Sequence, residues 1–224
     1  MRRALRDNSL SLVFLVLFLA ALAGQSIAGH RLYNEDALAH GSETISYARY
    51  LVSSHFGQSV LENWQSEYLQ FLLYIVLTVW LVQRGSPESK PVDERGGEDD
   101  QKQKLGAHAS KNSPTWARAG GWRTALYSNS LGLVVGLFFL GSWGAQLVAG
   151  TSAYNSGRLQ NLLAPISMPQ YFVSANFWNR TLQNWQSEFL AVGSMVVLGI
   201  YLRQRGSPES KPVGSPHTAT GVEG

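Results

Sequence analysis

The chain has 224 residues, a formal net charge of +3 and a mean hydropathy of -0.08, values that alone would suit one or two soluble domains. It contains no cysteine, which excludes disulfides, thiolate metal sites, iron–sulfur clusters and cysteine nucleophiles. The five histidines, His30, His40, His55, His108 and His217, never stand three or four residues apart, the spacing that puts two ligands on one helical face, so no metal site is expected.

The mean hydropathy hides a segregated pattern, because the stretch from Val92 to Arg123 is nearly free of large aliphatic residues and offsets four apolar blocks. The first block, Ser9 to Ala28, supplies about twenty uncharged residues, enough to cross a hydrocarbon core of about 30 Å. Arg2 and Arg3 before an apolar run that ends in small residues also fit a cleaved signal peptide. The same pattern returns in mid-chain at Ser130 to Ala149, so both are read as retained spans. Ala20, Gly24 and Ala28, and likewise Gly141, Ala145 and Ala149, follow one another at intervals of four, a spacing that lets helix backbones approach closely in lipid.

After the first block, Ile45, Ala48, Leu51, Val52 and Phe56 fall near one helical face and predict a short interfacial helix. Ile166, Phe172, Val173 and Phe177 predict a second one, with Pro169 in its first turn. Trp64 and Trp185 are expected as interfacial anchors. The second and fourth apolar blocks, Tyr68 to Val82 and Phe189 to Leu202, are about fifteen residues each, or about 22 Å of helix. Each is closed on its C-terminal side by Arg-Gly-Ser-Pro, so any extension must draw on the preceding Trp-Gln-Ser-Glu.

An offset of 121 residues aligns Leu5–Val92 with Leu126–Val213 without a gap, and about 40 of the 88 pairs are identical. Asn63-Trp64-Gln65-Ser66-Glu67 recurs as Asn184-Trp185-Gln186-Ser187-Glu188, and Gln83 to Val92 recurs unchanged as Gln204 to Val213. The expected organisation is an all-α membrane protein of four transmembrane helices from two tandem parallel two-helix repeats. Residues 1–92 form the first repeat, with spans at about 9–29 and 64–83, and 93–122 a polar cytoplasmic linker. Residues 123–213 form the second, with spans at about 128–150 and 185–204, and 214–224 a disordered tail. Fourteen of the 18 basic residues flank one side and only Arg31, Arg49, Arg158 and Arg180 the other, which puts both termini and the linker in the cytoplasm.

The segments Glu62-Asn63-Trp64-Gln65-Ser66-Glu67-Tyr68-Leu69 and Gln83-Arg84-Gly85-Ser86-Pro87-Glu88-Ser89-Lys90, with their second copies, resemble a family of uncharacterised bacterial membrane proteins classed as a domain of unknown function. The resemblance implies a bacterial inner-membrane location and carries no activity with it. Copy two has Gln183 where copy one has Glu62, so an acid is not required at that position in both copies.

No nucleophile and base recur at useful spacing and no phosphate loop is present, so neither an enzyme nor a cofactor is expected. Glu67 lies sixteen residues before Gln83 and Gln25 sixteen after Ser9, which sets both about 24 Å from the inner boundary. Glu67, Glu188, Gln25 and Gln146, with Asn63 and Asn184 beside them, are therefore expected to form one polar cluster in the outer part of the membrane. Glu67, Gln70, Tyr74 and Thr78 continue it as a polar stripe, while the second copy reads Glu188, Ala191, Met195 and Gly199. If the two acids face each other, a proton or monovalent cation is the natural ligand, with a small solute as the broader class; the other reading of the same positions is that both glutamates reach headgroups and water at the interface beside Trp64 and Trp185. The alternative is a scaffold that docks a cytoplasmic protein through Arg84, Glu88, Lys90, Arg205, Glu209 and Lys211. The remaining expected partner is the lipid bilayer; the pattern is compatible with a homo-oligomer, and the basic residues form no stripe that would suit nucleic acid.

Overall fold

The computed structural model describes residues 2–222, with side chains from Leu5 onward; Arg2 and Arg3, which count towards the orientation, have their side chains outside that range. Every regular element among the described residues is helical. In chain order the α-helices are α1 (Arg2–Asp7), α2 (Ser9–Ala39), α3 (Tyr47–Leu51), α4 (Ser54–Trp80), α5 (Thr115–Ala119), α6 (Gly121–Ser128), α7 (Ser130–Gln160), α8 (Met168–Phe172) and α9 (Ala175–Tyr201), with short 3-10 turns at Val92–Glu94 and Gly106–His108 between α4 and α5. Helices α2 and α7, of 31 residues each, are long and apolar enough to cross a membrane. Their apolar side chains point outward, with Leu10 72%, Val16 64% and Leu137 68% exposed. A soluble chain rarely presents so large an apolar surface to water.

The helices extend beyond the apolar blocks. Helix α2 runs to Ala39, and α4 and α9 begin at Ser54 and Ala175, about ten residues before the Trp-Gln-Ser-Glu segments. The early starts have a local cause. The Phe56 amide donates to Ser53 Oγ at 3.3 Å, and the Phe177 amide to Ser174 Oγ at 3.2 Å, each satisfying a first-turn donor. The expected interfacial helices accordingly shrink to five residues, α3 and α8, and Phe56 and Phe177 fall on the long helices that follow.

The chain divides into two compact units that cut across the two sequence copies. The first comprises the chain up to Leu61 together with Ala145–Phe177. In it Asn34 clasps Ile45, accepting from its amide at 2.9 Å and donating to its carbonyl at 3.1 Å. Asn155 holds Ile166 in the same way, at 2.8 and 2.9 Å. Tyr50 and Tyr171, both buried, lie over Gly29 and Gly150, where any side chain would meet the tyrosine hydroxyl. The Tyr171 hydroxyl accepts from Gln58 Nε2 at 3.2 Å and donates to Asn176 Oδ1 at 3.3 Å. Gly57 faces the Ala149 methyl at a distance suited to close helix approach, whereas Gly24 and Gly141 have open space where a side chain would stand. The small-residue stripe therefore brings helices together at Ala149, and its glycines meet no second helix of the described chain.

The second unit comprises Glu62–Gly144 and the chain from Trp178 onward. Its linker carries local ion pairs, Lys90 with Glu98 at 3.0 Å and Lys102 with Glu94 at 2.7 Å. The Gly96 amide also donates to the Val79 carbonyl at 2.6 Å, tying the linker to the end of α4. Residues 214–222, expected within a disordered tail, are likewise held, with the Gly221 amide on the Ser86 carbonyl at 3.1 Å and His217 Nδ1 3.0 Å from the Ile200 carbonyl. Glu223 and Gly224 of that expected tail lie outside the described residues.

Candidate functional site

The Trp-Gln-Ser-Glu segment recurs in sequence but is used differently on the two helices. On α4, Gln65 and Ser66 are fully buried, while Gln186 and Ser187 on α9 are exposed. Gln65 Oε1 accepts from the Trp185 indole N–H at 2.8 Å, and the Trp185 ring lies 6.1 Å from that of Trp143. Trp185 thus packs within the second unit, whereas Trp64 remains more than a third exposed. Asn63 and Asn184 turn their carbonyls to local use, accepting from Ser66 Oγ at 2.9 Å and Ser187 Oγ at 2.8 Å.

Ser66, the residue before Glu67, also reaches the second acid. Its hydroxyl lies 3.4 Å from Glu188 Oε1, and the Glu67 carboxylate is close enough to Glu188 to act on it electrostatically. Glu67 is exposed and Glu188 half-buried. Five residues before Glu67 stands an ion pair that the sequence did not suggest, Arg180 with Glu62 at 3.2 Å. The matching positions hold Ser59 and Gln183, so the copies differ in both members of the pair, which accounts for the departure at Gln183.

The other two members expected in the cluster belong to the first unit. Gln25 Nε2 donates to Ser59 Oγ at 2.9 Å. Gln146 is 1% exposed, and neither its side-chain oxygen nor its nitrogen has a partner among the described residues. The four residues therefore divide two and two between the compact units.

The polar stripe below Glu67 opens onto space. Gln70, Tyr74 and Thr78 line a cavity of about 400 Å³ whose other walls are Leu73, Leu77 and Leu81 on one side and Phe189, Val192 and Val196 on the other. Glu88 reaches back from the turn after α4 into this cavity and accepts a hydrogen bond from the Tyr74 hydroxyl.

That turn is built alike in both copies. Gly85 and Gly206 adopt φ of +87° and +80°, the left-handed region open to glycine. Ser89 Oγ accepts from the Gln83 amide at 2.9 Å, and Ser210 Oγ from the Gln204 amide at 2.9 Å. Ser86 and Ser207 accept from the amides of Glu88 and Glu209, each at 3.2 Å. Lys90 points to the linker, and Lys211, 1% exposed, donates to the carbonyls of Gly85, His217 and Ala219 at 2.5, 3.1 and 3.1 Å. Burial, and secondarily Arg203, lower the Lys211 pKa, while those carbonyls solvate its ammonium. Of the six residues expected to dock a partner, Arg84, Arg205 and Glu209 face outward, whereas Glu88 and Lys90 are half-buried and Lys211 is buried.

A family described as a domain of unknown function, DUF6766, has a model that matches residues 1–222. The chain belongs to this family. No curated protein matches it, and no solved structure does. For this DUF6766 chain the chemistry must therefore be argued from its own residues, and those that converge are Ser66, Glu67 and Glu188, with Gln70, Tyr74, Thr78 and Glu88 along the same helix and its exit turn.

Proposed function

We propose that this protein is a four-span integral membrane protein of two tandem two-helix repeats, with both termini in the cytoplasm of a bacterial inner membrane, holding a polar site for a proton or monovalent cation where the two copies meet. The observation that carries the reading is the nearness of two acids from the two copies: Ser66 reaches Glu188 at 3.4 Å, and Glu67, the next residue on α4, acts electrostatically on the same carboxylate. Two neighbouring carboxylates repel, and a shared proton or small cation relieves that repulsion. Helices α4 and α9 span in this reading with α2 and α7: each has 27 residues, or about 40 Å, and carries exposed apolar side chains such as Phe71, Val76, Leu190 and Val197. The duplication is supported by the equivalent Asn34 and Asn155 clasps, Tyr50 and Tyr171 contacts and Ser89 and Ser210 turn closures.

The same turn closures weaken the docking alternative. The recurrence of Glu-Ser-Lys beyond the helix stop is accounted for by Ser89 and Ser210 closing the turns and by Lys90 and Lys211 anchoring the segments that follow, at Gly96 and at His217 and Ala219. The test of the site is to make Glu67→Gln, Glu188→Gln and the double variant, match their membrane levels, and compare pH- and cation-dependent growth with a deletion strain. The double variant should behave as the deletion; full function would end the ion-site reading. Orientation is tested by single cysteines at Ser42, Asp99, Gln160 and Thr218 probed with an impermeant maleimide on spheroplasts. Only Ser42 and Gln160 should label, and labelling at Asp99 would reverse the topology.

A further inference from the structure

The 400 Å³ cavity has the size of a small-molecule site, and its composition selects a ligand class. Aliphatic and aromatic side chains dominate its walls, and Glu88 is the single charged group among them. A second cavity of about 270 Å³ adjoins the same carboxylate and Tyr74, with Phe71, Ala191 and Met195 in its wall and a second acid, Glu209, which lines this cavity and not the first. Glu88 is half-buried, and no lysine, arginine or histidine among the described residues forms an ion pair with it. Its hydrogen-bond partner is the Tyr74 hydroxyl. Lys90, the nearest cation in sequence on that turn, is engaged with Glu98 and the Gly96 carbonyl. A carboxylate held in apolar walls without a counter-ion is costly unless a cation joins it.

We propose that this cavity binds a monovalent organic cation with an apolar body, its positive centre set between the Glu88 carboxylate and the Tyr74 ring and its hydrocarbon against Leu73, Leu77, Phe189 and Val192. The carboxylate supplies charge, the phenol ring a cation-attracting face, and the aliphatic walls exclude hydrated inorganic ions. This ligand class and this acid differ from those of the Glu67–Glu188 pair.

The full chain in nanodiscs of zwitterionic lipid tests the proposal, with tetraphenylphosphonium as the probe and tetraphenylborate as its anionic isostere. The wild type should bind the cation saturably and not the anion. Glu88→Gln should weaken binding about tenfold or more, and Val192→Trp, which fills the cavity and leaves the acid in place, should do the same. Glu209→Gln, and the pair Glu67→Gln with Glu188→Gln, should bind as the wild type does. Those last variants separate this site from the proposed ion site, since loss there with retention at Glu88→Gln would move the cation to the other acids and overturn the proposal. Equal binding of tetraphenylborate, or binding untouched by both Glu88→Gln and Val192→Trp, would reduce the cavity to a lipid-filled crevice and overturn it as well.

Discussion

Replacing the two turn glycines separates backbone strain from tail docking. Gly85 and Gly206 share a left-handed backbone, so alanine at either costs about 1 kcal/mol for that conformation. At Gly206 nothing lies within contact of the added methyl, and that cost is the whole effect. At Gly85 the methyl would overlap the His217 carbonyl oxygen and approach Ile200 at 3.1 Å. Relief requires the tail to lift, which breaks the Gly85 amide bond to Thr220 Oγ1 at 2.8 Å and the Lys211 bond to the Gly85 carbonyl at 2.5 Å. One neutral and one charged hydrogen bond contribute about 1 and about 2 kcal/mol, so Gly85→Ala should cost about 4 kcal/mol against about 1 for Gly206→Ala. Limited proteolysis at the C-terminus, with urea denaturation in mild detergent, reads both effects. The tail should become cleavable in Gly85→Ala and stay protected in Gly206→Ala. Equal stability and equal protection in the two would refute the docked tail.

The Arg180–Glu62 ion pair gives a second test: Arg180→Gln leaves the Glu62 carboxylate, whose side chain is 15% exposed, without its partner and should cost about 1 kcal/mol in denaturation midpoints, and Glu62→Gln combined with Arg180→Gln should recover part of that loss. Tyr171→Phe removes the hydroxyl shared by Gln58 and Asn176 and should cost roughly 1 to 3 kcal/mol, measured by denaturation. Gly150→Ala should cost more, because its methyl would stand 2.8 Å from that hydroxyl in a buried site.

The all-helical class was legible because apolar blocks and their charged stops are one-dimensional signals. Element ends were less so: α4 and α9 start early on the hydroxyls of Ser53 and Ser174, and one serine among many gives no periodic signal. The 121-residue offset showed which positions recur, and the Asn34–Ile45 and Asn155–Ile166 clasps show what some of the identities do. Position alone could not reveal that two identical Trp-Gln-Ser-Glu segments would bury Gln65 and expose Gln186, since helix rotation is set by neighbours such as Trp143 and Trp185. The motif pointed to Glu67 and Glu188, and Glu67 does act electrostatically on Glu188, while Gln25 and Gln146 of the same expected cluster belong to the other compact unit. Glu88 was read as a docking residue because nothing in its sequence context shows the turn folding back to Tyr74. The Arg180–Glu62 pair escaped for a similar reason, being 118 residues apart and present in neither copy alone.

Infrared difference spectroscopy of the full chain in nanodiscs, with monovalent cation exchanged at fixed pH, tests the carboxylate pair most directly. The wild type should show carboxylate bands that shift as the cation enters, and Glu67→Gln with Glu188→Gln should abolish them while Glu209→Gln leaves them intact. Identical difference spectra from the wild type and the double variant would contradict a cation or proton site at Glu67 and Glu188.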